Sequence, residues 1–258
     1  MANIHPTALI DAKAELASDV EIGPYAIVGA GVRIGAGSRV AAHVVIDGIT
    51  EIGERNTFHA GSHIGCAPQD KKYAGEPTRL VIGNGNTFFQ NITLSTGTVQ
   101  DQGVTRIGDD NWFMAYAHVG HDCDIGSHTI FANSVTLGGH VHVGDWAILG
   151  GLSAIHQFCT IGAHAMAGGG SIIVQDLPPF VICEGNRAVA RGINSEGLKR
   201  RGFSSDAITK IKRAYKQLYR EGLTYEEARA QIEARLAAEP ELQPFADFFA
   251  LSQRGIMR

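Results

Sequence analysis

A chain of 258 residues with 22 basic and 26 acidic side chains is too nearly neutral to carry the field that draws nucleic acid or an anionic membrane surface. No run approaches the ~18 continuous apolar residues of a membrane span, and the start, MANIHPTALI, lacks a basic segment followed by an apolar core; neither an integral membrane segment nor a signal peptide is predicted. The four cysteines, at 66, 123, 159 and 183, show no CxxC spacing, so a reduced, cytoplasmic protein is expected, and 32 glycines with few aromatics favour a turn-rich, closely stacked backbone.

In chain order, the first signal is a period of six. Ile4, Ile10, Leu16, Ile22, Val28, Ile34, Val40, Ile46, Ile52, Phe58 and Ile64 are all large and apolar, and a small residue or Asp often follows, as in Ile22-Gly23 and Ile34-Gly35. Six is neither the period of a helix nor that of simple strand alternation. It predicts a parallel β-helix in which each unit is one short strand and a turn, with the apolar residue inward. Continued to Asp70 and Glu76, the register would bury carboxylates, so 66–81 must leave the coils as a loop. Ile82, Phe88 and Leu94 return to phase. A second excursion near 97–105 shifts the phase by one, and Ile107, Phe113, Val119, Ile125, Phe131, Leu137, Val143, Leu149, Ile155 and Ile161 follow without a miss. An ordinary sandwich would not hold phase so long. The pattern resembles the hexapeptide-repeat acyltransferases, whose coils are left-handed prisms of three units; handedness and coil size come from that resemblance.

The fold class expected is mainly β: a left-handed parallel β-helix over 1–194, then a small α-helical domain over 195–258. Ser204/Ser205 open an amphipathic helix that stops near Gly222, Thr224 with Glu227 forms a capping box for the next, and Pro240 or Pro244 precedes a third ending near Phe249. The tail holds 12 basic and 9 acidic residues against 10 and 17 before it. That asymmetry fits either a solvated helix face or an acidic partner.

The stretch AHVGHDCD, residues 117–124, packs two histidines, a thiol and two carboxylates together. With three units per coil, residues 18 apart stack about 4.8 Å from one another. Gly139 then lies over His121, Gln157 over Gly139, and Asp122 beneath His140. His118 falls in another column, and His156 lies one coil above the His140 region. Cys159 is two coils from Cys123, too far for a disulfide. Adjacent strand residues point to opposite faces, so His121, Asp122 and Cys123 are not expected to converge all three on one ion. A zinc site from His118, His121 and His140 stays open, as does an ordinary turn or surface role for each histidine.

The motifs AYAHVGHDC, GGH, AIHQF, CAPQDKKYAGEPTRL and NSEGLKRRGFS resemble the UDP-N-acetylglucosamine O-acyltransferases of lipid A biosynthesis over essentially the whole chain. The resemblance implies transfer of an (R)-3-hydroxyacyl group from acyl carrier protein to the glucosamine 3-hydroxyl of UDP-N-acetylglucosamine, by direct attack, in a homotrimer with sites between subunits, without cofactor or metal. Carried over motif by motif, His121 is the general base, Asp122 orients it, and Gly139 offers its N–H to the thioester oxygen. Asp70, Lys72, His118, His140, His156 and Gln157 match sugar, nucleotide and diphosphate contacts; Asn194, Glu196, Arg200 and Arg201 match uridine, phosphate or carrier contacts. Gly169 matches the floor of the acyl groove. The basic tail would face the acidic carrier protein. The chain departs from the family where Leu94-Ser95-Thr96-Gly97 stands in place of a His-Arg pair before GTVQ. Rival readings are the related N-acyltransferase, disfavoured because the repeats begin at Ile4, a coenzyme-A-dependent sugar acetyltransferase, a zinc hydratase and a non-catalytic scaffold.

Overall fold

The computed structural model describes residues 2–258. As far as Ile172–Ile173 the short strands fall in rotation into three sheets, which hold eleven, nine and eight strands in all and form the faces of a left-handed triangular prism. Pairing is parallel throughout the coils, with partners such as Ile22 and Val40 one coil apart. The strands are mostly two residues long because each six-residue unit spends the rest on a corner.

The sixth-residue positions line the interior. Val40, Ile46, Phe58, Ile64, Leu137 and Leu149 are all buried. Phe58, Phe88, Phe113 and Phe131 stack on successive coils with centroids 4.9, 5.0 and 4.4 Å apart. Where a corner turns inward, amides replace apolar groups: Asn86 N–H donates to the Asn56 side-chain oxygen at 3.0 Å, and Asn111 N–H to that of Asn86 at 2.8 Å. Every buried polar group in this ladder thereby has a partner. Ile4 departs from the expectation, being 42% exposed at the end of the first described coil.

The phase arithmetic has a structural cause. Ile52 pairs with Ile82 and Ile82 with Ile107. The first loop adds two whole units to a coil and leaves the phase intact, whereas the second adds one residue more than a unit and shifts it. The strands flanking them are His63–Cys66 and Arg79–Ile82 for the first, Thr93–Ser95 and Val104–Ile107 for the second.

Corners place many non-glycine residues at positive φ, among them Asp122 (57°), His140 (59°) and Phe158 (65°). Each costs roughly 1 kcal/mol outside glycine, and the continuous ladder and core offset it.

The last strand, Val189–Ile193, runs antiparallel to its neighbour. The helices are α1 (Ser195–Arg200), α2 (Ser205–Tyr219), α3 (Tyr225–Glu233) and α4 (Gln243–Leu251), with a 3-10 turn Pro240–Leu242 before the last. Ser204 caps α2, and Thr224 with Glu227 makes the reciprocal box of α3. The short α1 was not foreseen: its cap is Asn194, a residue the motif comparison had marked for a ligand. A second core of Leu198, Ile211, Leu218, Ile232 and three phenylalanines of α4 packs on Phe180 of the last coils. Among the described residues no helix is long and apolar enough to cross a membrane.

Candidate active site

The edge where the nine-stranded sheet turns into the eight-stranded one carries the opening histidines. His118 and Val119 form a strand of the nine-stranded sheet, Asp124 and Ile125 one of the eight-stranded sheet, and His121 and Asp122 make the turn between. The strand alternation assumed from sequence does not apply to His121 and Asp122. They are corner residues, not strand neighbours, and the left-handed backbone at Asp122 swings its carboxylate back to the imidazole. Asp122 Oδ2 lies 2.9 Å from His121 Nδ1. Cys123 does diverge: it is fully buried, its thiol donates to the Gly138 carbonyl at 3.2 Å, and burial pushes it up to about 12. Such a thiol is no nucleophile near neutral pH.

Asp122 is itself held by the second loop. Its carboxylate accepts from the Thr98 N–H at 2.8 and 3.0 Å and from the Thr98 hydroxyl at 2.6 Å, while its own N–H donates to Thr105 Oγ1 at 2.8 Å. Gly97 is required for this approach, since a Cβ there would lie 2.1 Å from Val104 N and 2.7 Å from Asp122 Oδ1. The two donors of Thr98, with His121 Nδ1 at 2.9 Å, orient this buried carboxylate. Thr98 and Thr105 were missed by sequence reasoning, which stopped at Leu94–Gly97; the only signal was proximity to that departure, because the loop's return to the corner is not local.

Gly139 packs directly on His121. A Cβ on Gly139 would sit 2.6 Å from His121 Cε1 and 2.7 Å from Nε2, so only glycine lets the next coil close over the ring. In the neighbouring column His140 stands above Asp122. Its ring meets His121 edge-on at 4.9 Å and stacks on Phe158 at 4.4 Å. His140 Nδ1 lies 2.8 Å from Asp101 Oδ2, and its Nε2 lies 3.9 Å from Asp122 Oδ2.

These groups open into a cleft of about 920 Å³ along the eight-stranded face. Asp70, Lys72, His121, Asp122, His140 and Gln157 line it together with Asp124 of the same stretch, and with Asp101, Arg106 and His142, which sequence reasoning did not single out. The first loop thus reaches the second across one face.

Other predicted residues lie elsewhere on the chain. His118 bonds Thr93 Oγ1 at 2.7 Å on the nine-stranded face, and burial, with His121 nearby, lowers its pKa. His156 is exposed at the same edge, with Nδ1 3.1 Å from the Gln157 carbonyl. Asn194 is buried, accepting from Gly197 N–H and donating to the His164 carbonyl. Glu196 pairs with Lys199 at 2.7 Å, which lowers its pKa, and Arg200 is exposed. Arg201 lies over Trp146 at 5.4 Å and donates to its carbonyl at 2.9 Å. Gly169 has room for a side chain, its nearest neighbour being the Gly151 oxygen at 3.4 Å.

Among the described residues, the group able to hold a cation is His121, Asp122 and His140, whose ligand atoms lie within 4.8 Å of one another. His118 is not part of it, so the zinc arrangement considered from sequence changes membership.

The family described as UDP N-acetylglucosamine O-acyltransferase, domain 2, matches residues 176–257, and the bacterial transferase hexapeptide repeat matches 1–36, 13–48 and 105–139. A relative from Thiobacillus denitrificans, named acyl-(acyl-carrier-protein)–UDP-N-acetylglucosamine O-acyltransferase, is 56% identical over 258 residues, 100% of both chains. The chain belongs to that acyltransferase family. Among solved structures it is similar to LpxA of Acinetobacter baumannii, at 47% identity, TM-score 0.96 and 99% of each chain. It is also similar to the Francisella novicida UDP-N-acetylglucosamine acyltransferase, at 39% identity and TM-score 0.97, over 99% of this chain and 94% of that one. Family membership makes the chain an enzyme, and likeness on this scale extends through both the coils and the helical tail.

Proposed function

We propose that this acyltransferase moves an (R)-3-hydroxyacyl chain from acyl carrier protein to the 3-hydroxyl of UDP-N-acetylglucosamine, the first step of lipid A biosynthesis, with His121 as general base. The observation that carries the mechanism is the His121–Asp122 pair beneath Gly139. Asp122 accepts a hydrogen bond from the Nδ1–H of His121, leaving Nε2 free to take a proton. The sugar oxygen forms the new C–O bond at the thioester carbonyl as its proton passes to Nε2. Collapse breaks the C–S bond, and the same proton goes to the departing thiolate of the carrier. A positioned base supplies about 10²–10⁴-fold. The Gly139 N–H is the donor assigned to the developing oxyanion.

Binding follows the same edge. Asp70, Lys72, His140 and Gln157 share the cleft with the pair and receive the nucleotide sugar. Asn194, Glu196, Arg200 and Arg201 lie outside that lining, which suits a homotrimer whose sites take residues from two subunits, as does the placement of His118 and His156 outside it. The carrier protein docks near the basic residues of the helical domain, and Gly169 sets the acyl-chain floor. Unpaired thiols at all four cysteines suit a cytoplasmic enzyme.

The test is mass spectrometry of product formed from UDP-N-acetylglucosamine with carrier proteins bearing several acyl lengths, beside acetyl-coenzyme A, with and without a chelator. Product bearing a 3-hydroxyacyl group, drawn only from carrier protein and undiminished by chelation, is expected. Transfer from acetyl-coenzyme A alone, or loss on chelation, overturns the donor or the metal-free mechanism respectively.

A further inference from the structure

We infer that Asp101 is a positioning residue that fixes the His140 ring with its proton on Nδ1, so that Nε2 faces the cleft as an acceptor for a sugar hydroxyl or amide N–H rather than as a donor to phosphate. This deepens the proposed function and rests on its assignment of the cleft to the nucleotide sugar.

The geometry begins with the loop. Thr98 is fully buried, and the Asp101 and Gly103 N–H groups both donate to its carbonyl, at 3.2 and 3.0 Å. The turn so closed carries the Asp101 carboxylate to 2.8 Å from His140 Nδ1. An ionised carboxylate has no proton to give, so the hydrogen of that bond belongs to Nδ1. Two aromatic neighbours fix the plane of the ring. Phe158 covers one face nearly parallel, with 8° between planes, and His121 stands edge-on at 89°.

Among the described residues, the opposite nitrogen has no hydrogen-bond partner. His140 Nε2 is 3.9 Å from Asp122 Oδ2, beyond hydrogen-bond reach, and Asp122 is already taken by Thr98 and His121. A lone pair and a carboxylate oxygen side by side, at the wall of the cleft, attract a group that donates. They repel an anion. One short loop therefore sets both imidazoles of the site, His121 through Thr98 on Asp122 and His140 through Asp101.

The test uses full-length enzyme labelled with 15N-histidine, with the His140 signals assigned by their loss in His140→Gln. Two-bond 1H–15N spectra near neutral pH should show the Nδ1–H tautomer for His140. Asp101→Ala should shift it toward Nε2–H, and Asp101→Asn, whose amide can accept or donate, should give a mixture. In steady state Asp101→Ala should raise KM for the nucleotide sugar roughly fivefold to tenfold, with kcat and the KM for acyl carrier protein within about twofold. Asp101→Asn should fall between. A His140 that is Nε2–H or doubly protonated in the unaltered enzyme overturns the inference, as does an Asp101→Ala enzyme with tautomer and KM unchanged. Loss of the base role of His121 would leave the tautomer result standing, so the two readings fail separately.

Discussion

Two columns of corner residues run up this prism, and they make different chemistry from the same backbone. One is Asp122–His140–Phe158; the other is Asp110–His128–Trp146–His164–Phe180, and every member of both has positive φ. Both stack rings, with centroids 4.4 Å apart for His140–Phe158 and 4.2 Å for His128–Trp146. What differs is the cover. The first column faces an open cleft and takes carboxylates from a loop and a corner. The second is closed by Arg201, whose guanidinium lies on Trp146 and donates to His164 Nδ1 at 3.2 Å. So the same imidazole nitrogen faces the Asp101 carboxylate in one column and accepts a hydrogen bond from Arg201 in the other. Burial, then the Arg201 charge, pushes His164 down to about 4. The repeat delivers histidines to an edge, and the neighbouring charge decides whether a ring can serve as a base or is held as a neutral spacer.

The largest effect that would sharpen this contrast comes from the rings themselves. His121→Ala should lower turnover by at least about a hundredfold with circular dichroism unchanged, whereas His164→Ala should leave turnover little changed and lower the melting temperature. Equal losses of turnover would abolish the distinction between the columns. Next, Thr98→Val removes one of the donors on Asp122 and should lower kcat roughly tenfold, the cost of one hydrogen bond to a charged group; a variant with unaltered kcat would show that the loop does not set the carboxylate. Gly169→Met, where the structure leaves space, should shift preference severalfold toward shorter acyl chains in carrier-protein assays, and an unchanged profile would place the floor elsewhere.

The smallest effect concerns pH. Free histidine titrates near 6.5 and His164 near 4, so between those values the unfolded chain takes up a proton that the folded chain refuses. Stability contributed at neutral pH is therefore lost as pH falls through that window. Because the ring is partly reached by solvent, the loss is discounted to a few degrees of melting temperature. His164→Asn should flatten that part of the profile, and an identical slope in both proteins would assign the acid sensitivity to other groups.

Much of this was legible because the repeat is local and insistent. Val40, Ile46 and Phe58 each declare an inward position, and loops that keep or shift the phase announce themselves in the residues after them. The capping box at Thr224 and Glu227 is likewise written within four positions. Column arithmetic brought Gly139 to His121 before any contact was known, and the structure places them against each other. It also brought Asp122 beneath His140; what misled was strand alternation applied to that corner, and the motif around Asn194 gave no sign that its side chain caps α1. Thr98, Thr105 and Asp101 lay beyond it entirely.

The amino-acid order alone determined a coil of six-residue units, through its hydrophobic repeat, and the family, through contiguous motifs; handedness and three units per coil came with the family likeness. Only the tertiary structure decided which atoms of the histidines are occupied, because the partners that bond them, Thr98, Asp101 and Arg201, arrive from a loop and a helix whose paths no periodicity describes. A hydrogen bond needs its donor placed to within a few tenths of an ångström, and no spacing along the chain conveys that.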